Sequence, residues 1–185
     1  LHTSQQGSLS EKRDELYEKT IDLFLGNWEE KRVVYEERGD ILLIQPSLAE
    51  WLKTDRKQIR SLLNKLAYNA HASQSDLLGT GEILEDNLIS GLVKSSENPD
   101  VKPKRLLEFL TERSGLLIPR GKGVYSFPHR TFQEYLAACH IIENDNFPEN
   151  ISNFVYKDPQ RWRDVCILAG AKIANNKSKL WSLLD

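Results

Sequence analysis

The tightest constraint on this chain is a double change of hydrophobic period within one stretch. Apolar residues first recur at helical spacing, in three successive sets. The first is Ile59, Leu62, Leu63, Leu66, Ala67 and Ala70, and the second is Ile83, Leu84, Leu88, Ile89, Leu92 and Val93. The third is Leu106, Leu107, Phe109 and Leu110, in a helix expected to start at Pro103 and stop at Gly115. The period then switches. Leu116-Leu117-Ile118 and Val124-Tyr125-Ser126-Phe127 are β-rich runs on either side of Pro119-Arg120-Gly121-Lys122-Gly123, which is a hairpin signature. It switches back at Thr131-Phe132-Gln133-Glu134, which has the form of a capping box and opens a helix with Phe132, Tyr135, Leu136, Cys139 and Ile142 inward. Three helices, a two-stranded hairpin and a further helix, in that order, spell a winged helix. Residues 103–114 take the recognition-helix position and 120–123 form the wing. The expected fold is mainly α with a small β-hairpin wing.

The flanks are helical as well. Residues 1–10 are polar, contain Gly and Ser, show no period and read as a linker. From Glu11, with Ser10 as N-cap, Tyr17, Ile21, Phe24 and Trp28 share one helix face. Residues 31–40 form a charged stretch. The apolar run Ile41-Leu42-Leu43-Ile44 that follows fits either a strand or a buried extended segment. Ser47-Leu48-Ala49-Glu50 is a second capping box, opening a short helix through Leu52, after which Thr54 or Asp55 caps the first helix of the winged unit. Asp158-Pro159 supplies a cap and a first-turn proline for a helix carrying Trp162, Val165, Cys166 and Ala169. A further helical pattern starts at Ser178. A chain that begins at Leu1, holds no Met and breaks off in such a pattern is expected to be a piece of a longer protein.

Composition removes several function classes. With 25 basic and 27 acidic residues the net charge is -2, which argues against a polycation that coats nucleic acid or membrane. No apolar run approaches the roughly 20 residues of a membrane span. The only cysteines are Cys139 and Cys166, both inside helical patterns, so a reducing, cytoplasmic setting is expected. The histidines His2, His71, His129 and His140 are scattered, with no metal-ligand spacing. Gly79-Thr80-Gly81 and Gly121-Lys122-Gly123 do not fit a phosphate-binding P-loop. Nothing in the chain forms a catalytic constellation, and no enzyme activity is expected of it.

Two features can carry function. Lys102, Lys104, Arg105, Arg113, Arg120, Lys122 and Arg130 crowd the third helix and the wing, opposed there only by Glu108 and Glu112. A basic reading helix and wing on an acidic body is what a winged-helix DNA-binding regulator presents, and this is the alternative reading. The other feature is the corner at His129-Arg130, between the second wing strand and the following helix. Free N–H groups and the helix dipole favour an anion there, and a histidine packed on the wing fits the same corner.

The stretch Phe127-Pro128-His129-Arg130-Thr131-Phe132-Gln133-Glu134-Tyr135-Leu136-Ala137-Ala138 resembles the winged-helix segment of NACHT-domain proteins. These are bacterial relatives of NOD-like receptors, within the STAND class of P-loop ATPases. Arg13-Asp14-Glu15-Leu16-Tyr17-Glu18 with Trp28, residues 62–71 and residues 160–170 agree with it in order. The resemblance implies the end of a first helical domain over 1–45, a winged-helix domain over 46–144 and the start of a second helical domain over 145–185. It implies a signalling switch in which the winged helix closes over an ADP-bound core lying upstream, and opens on exchange for ATP so that the protein oligomerises. The family's histidine, matched by His129, would contact the β-phosphate, with Arg130 as a second candidate. No cofactor is expected in the chain itself; ADP or ATP with Mg belongs to the parent protein. The implied partner is the upstream nucleotide-binding core.

Overall fold

The computed structural model describes residues 3–29, 32–35, 39, 41–75, 78–102, 115–144 and 147–174. The expected recognition helix over 103–114 and the last helical pattern from Ser178 lie outside the described residues.

Helix α1 spans Thr3–Glu29. The linker expected over 1–10 is therefore helical from Thr3, and Ser10 lies inside the helix instead of capping it. Gly7 is the only strong helix breaker in that stretch, at a cost of about 1 kcal/mol, and the surrounding residues tolerate a helix. Of the expected inward face, Ile21 is buried and Tyr17 and Phe24 pack against the core, joined by the buried Leu25, while the Trp28 side chain lies outside the described residues.

The charged stretch at 31–40 contains a strand, β1 (Arg32–Tyr35), paired antiparallel with β2 (Ile41–Gln45). The apolar run at 41–44 is thus a strand. Val33 faces Ile44 across the ladder and Tyr35 faces Ile41, so β-branched and aromatic side chains meet in cross-strand pairs. All four are exposed.

Ser47 caps α2 (Leu48–Leu52) by accepting from the Glu50 N–H at 3.0 Å, as its motif predicts. Asp55, extended at φ -84°, caps α3 (Arg56–Ser73) by accepting from the Gln58 N–H at 2.7 Å. Of the residues predicted to point inward, Ile59, Leu63, Leu66, Ala67 and Ala70 are buried, and Leu62 is half-buried against the core edge.

The wing is a three-stranded sheet, not the two-stranded hairpin expected. Ile83–Leu84 form β3, which precedes α4 (Glu85–Lys94). The sheet is completed by β4 (Ile118–Gly121) and β5 (Val124–Ser126), in the order β3-β5-β4 and antiparallel throughout. Ile83 pairs with Tyr125 and Leu84 with Val124. The apolar pair at 83–84 fits a helical period as well as a strand, and pairing with β5 decides it. Gly123, at φ +72°, makes the turn that an L side chain would strain.

Helix α5 covers Arg130–Glu143. It starts one residue before the expected Thr131 cap, with His129 as its N-cap residue. The capping box does not form because the Glu134 carboxylate bonds Arg130 instead of reaching back to the Thr131 N–H. Helices α6 (Phe147–Lys157) and α7 (Pro159–Ala174) follow, with Asp158 accepting from the Arg161 N–H at 3.1 Å as predicted.

The core is built on α3 against α5, the most extensive helix–helix contact, with α7 laid across α5 and α1 closing the remaining side. Ala67 and Ala70 on α3 and Ala137 and Ala138 on α5 are all buried, and small residues permit close helix approach. No helix among the described residues is long and apolar enough to cross a membrane.

Candidate functional site

The two residues singled out by sequence lie side by side where β5 hands over to α5. Phe127 is fully buried and Tyr125 nearly so, which pins the end of the strand in the core. Pro128 and His129 then turn the chain outward. His129 is extended (φ -135°, ψ 143°), and its carbonyl accepts from the Phe132 N–H at 3.1 Å. Its side chain makes no capping hydrogen bond and is exposed. The ring rests on Phe132 with centroids 6.0 Å apart. Phe132 is in turn held edge-on by Tyr17 and Phe24 of α1, both at 5.9 Å. The imidazole is supported from beneath and open above, beside the unsatisfied N–H groups that begin a helix.

Arg130 is placed differently. Its Nε donates to Glu134 Oε1 at 2.6 Å, and that carboxylate side chain is only 4% exposed. Burial pushes the Glu134 carboxyl up while Arg130 pulls it down, and the net direction is upward. Arg130 is thus committed to an internal partner, whereas His129 is not.

Of the other basic residues expected on a DNA-facing surface, Lys104, Arg105 and Arg113 lie outside the described residues. Arg120 is tied back by its Nε to Ser126 Oγ at 2.8 Å, and Lys102 and Lys122 are exposed.

Two polar clusters, neither anticipated from sequence, hold α5 in place. The first is neutral at its centre. Gln133, fully buried, accepts from the Gly81 N–H through Oε1 at 2.7 Å, and its Nε2 lies 3.2 Å from His71 Nδ1. His71, also buried, has Nε2 3.0 Å from the Arg161 carbonyl and presents its ring edge-on to Trp162. This pattern fixes the tautomer: Nδ1 accepts from the Gln133 amide, so the proton is on Nε2 and is donated to Arg161. Arg161 Nη1 returns to α3, donating to the carbonyls of His71 at 2.9 Å and Gln74 at 2.5 Å. Burial lowers the His71 pKa; the Arg161 carbonyl and Asp158 oppose the change, while Arg130 and Arg161 add to it.

The second cluster is ionic. Glu18 of α1 receives Lys172 Nζ at 2.9 Å, Arg60 Nη2 at 3.2 Å and the Tyr135 hydroxyl. Burial resists ionisation of Glu18. The Tyr135 hydroxyl, Arg60 and Lys172 outweigh it and hold the carboxyl at about 2. The sequence signal available for both clusters was a polar residue set inside an apolar helix pattern, namely Gln133 and the Tyr135 hydroxyl. Their partners are far away in the chain, so the pattern alone does not name them.

The fold and this corner define the class: a winged helix in which the wing feeds directly into a core helix. Residues 13–141, more than half of the chain, match the family described as the winged helix-turn-helix domain C-terminal to NACHT. The chain belongs to that family. No curated protein and no solved structure matches it.

Proposed function

We infer that this chain is the regulatory lid of a NACHT-type switch, closing through its winged helix on the nucleotide-binding core from which the family takes its name. The chain is an interaction module with no chemistry of its own. The observation that carries the reading is the contrast at the β5–α5 corner. His129 is exposed and free of hydrogen-bond partners among the described residues, on a rigid aromatic base, while its neighbour Arg130 is consumed by a buried carboxylate.

A nucleoside diphosphate held by the core would supply a terminal phosphate as acceptor. His129 would donate a ring N–H to it, and the first N–H groups of α5 would add favourable dipole. Such a contact favours the closed state only by its energy difference between the two nucleotide states, about 1–3 kcal/mol for one charge-assisted hydrogen bond. Arg130 contributes by fixing the first turn of α5 through Glu134. Because Phe132 bears on both His129 and α1, a pull on His129 is passed to the helix that precedes the winged unit.

The test uses the parent protein containing its upstream core. Wild type and His129→Ala are purified and denatured, and released adenine nucleotide is quantified by chromatography. Retention of ADP by the wild type, with loss of roughly tenfold or more in affinity in the variant, is the expected result. Equal ADP content and equal basal oligomerisation in the two would reduce His129 to a packing residue.

A further inference from the structure

The buried His71 cluster is more than a filler of space between helices. We propose that His71 is an acid-sensitive latch between the winged helix and the helices that follow it: protonation of its Nδ1 sets two donors face to face and releases α7 from α3 and α5. Nδ1 lies 3.2 Å from the Gln133 amide nitrogen, and a proton placed there leaves no acceptor within that bond.

The amide cannot simply turn over to present its oxygen. Gln133 Oε1 is taken by the Gly81 N–H at 2.7 Å, and a flip would oppose that N–H with an NH2 group. Gly81 itself has no room to retreat toward α3. A Cβ at this position would lie 2.2 Å from the Ala70 carbonyl oxygen, so the backbone of 81 is already pressed against α3.

The charges facing the ring add to the cost. Arg130 on α5 and Arg161 on α7 repel an imidazolium, and Asp158 at the start of α7 attracts it. Asp158 is already paired with Arg161 through Nε at 3.0 Å, so its pull is largely spent. The remaining wall is the Trp162 ring of α7, edge-on at 5.0 Å. A charged His71 relieves these contacts by leaving its pocket, and leaving breaks its Nε2 bond to the Arg161 carbonyl. The guanidinium that stops α3, through the carbonyls of His71 and Gln74, is carried by the same residue and loosens with it.

The direction follows from linkage. The folded latch prefers neutral His71, and the opened form titrates as an ordinary histidine, near 6.5. Closure is complete above that value and is lost progressively as pH falls below it. Each unit separating the two pKa values changes the opening equilibrium about tenfold.

The experiment is hydrogen exchange on the full chain at pH 7.5 and 5.5, corrected for intrinsic rates, alongside nitrogen NMR of the histidine rings. The expected result is exchange in α7 and the last turn of α3 that rises about tenfold at pH 5.5 in the wild type. His71→Gln, which keeps an acceptor and a donor but cannot titrate, should show no such rise. His140→Gln should keep it; His140, half-buried against Tyr68 at 5.0 Å, is the control for a second histidine with a partly buried ring. The ring of His71 should carry its proton on Nε2 at pH 7.5. An unchanged acid response in His71→Gln, its disappearance in His140→Gln, or a proton on Nδ1 of His71 at pH 7.5 would each overturn the proposal. Should His71→Gln not fold, the wild-type titration decides: loss of α7 protection must track the His71 ring midpoint, and loss without His71 titration overturns it.

Discussion

Helix α5 is fastened by two polar clusters of opposite character, anchored two residues apart at Gln133 and Tyr135. At Gln133 the fastening is neutral and the Gln133 side chain is fully buried with both ends engaged: Oε1 accepts from the Gly81 N–H, and Nε2 is shared between His71 Nδ1 at 3.2 Å and Gln74 Oε1 at 3.3 Å. At Tyr135 it is ionic and half-exposed. Glu18 shares three donors from α3, α5 and α7, and Lys172 also stands 3.9 Å from Asp14. A buried neutral network resists rearrangement, because an unmatched group costs its whole desolvation energy. An ionic cluster open to solvent has replacements at hand, and each of its bonds is worth little alone. The first kind defines a unique arrangement; the second binds several helices loosely together.

The comparison breaks most sharply at Gly81. Gly81→Ala drives a methyl group into the Ala70 carbonyl oxygen and displaces the N–H that satisfies Gln133. The expected loss is about 3 kcal/mol or more, read as the midpoint shift in chemical denaturation. Tyr135→Phe removes one donor from Glu18 but leaves Lys172 and Arg60. A loss of about 1 kcal/mol is expected, and a larger one would mean that the ionic cluster is as exclusive as the neutral one.

The smallest effect is on the pH and salt profile. Glu18 is held at about 2, below its ordinary 4.5, so its contribution is present above 4.5 and is lost as pH falls toward 2. Unfolding midpoints should therefore show an acid step in that window which Glu18→Gln removes. Added salt should weaken the wild type more than Glu18→Gln, since the carboxylate side chain is 41% exposed.

What the sequence revealed divides along the same line. Local devices were legible: the Ser47 and Asp55 caps, the Asp158-Pro159 start, the apolar faces of α3 and α5, and the wing turn at Gly123. Each is a relation between residues a few positions apart. Most errors came where a distant partner decided; the helix over residues 3–10 and the lost Thr131 cap are local exceptions. Ile83 and Leu84 continue a helical period, and only the β5 backbone makes them a strand. Residues 32–35 sit among charges that hide their β-branched pair until β2 is laid beside them. Thr131 has the right spacing for a cap, yet Glu134 is drawn inward by Arg130. At the candidate site, sequence placed His129 at the corner correctly. It could not say that Phe132, braced by α1, would form the base beneath its ring. His71 and Gln133, 62 positions apart, carry no mutual signal at all.

The cap on α3 has a consequence for modularity. Helices commonly end on a glycine or on their own local side chains, but α3 ends on a guanidinium 90 positions downstream of His71. A transplant of the winged unit that stopped at Asn144 would carry α3 without its terminator, leaving the carbonyls of His71 and Gln74 to solvent and one wall of the His71 pocket missing. Recombination that respects the integrity of this unit must therefore keep α7 with it. The part of the molecule that stays folded when cut out is thus longer than the stretch from α3 to the wing and α5, because its lock lies in the helix beyond.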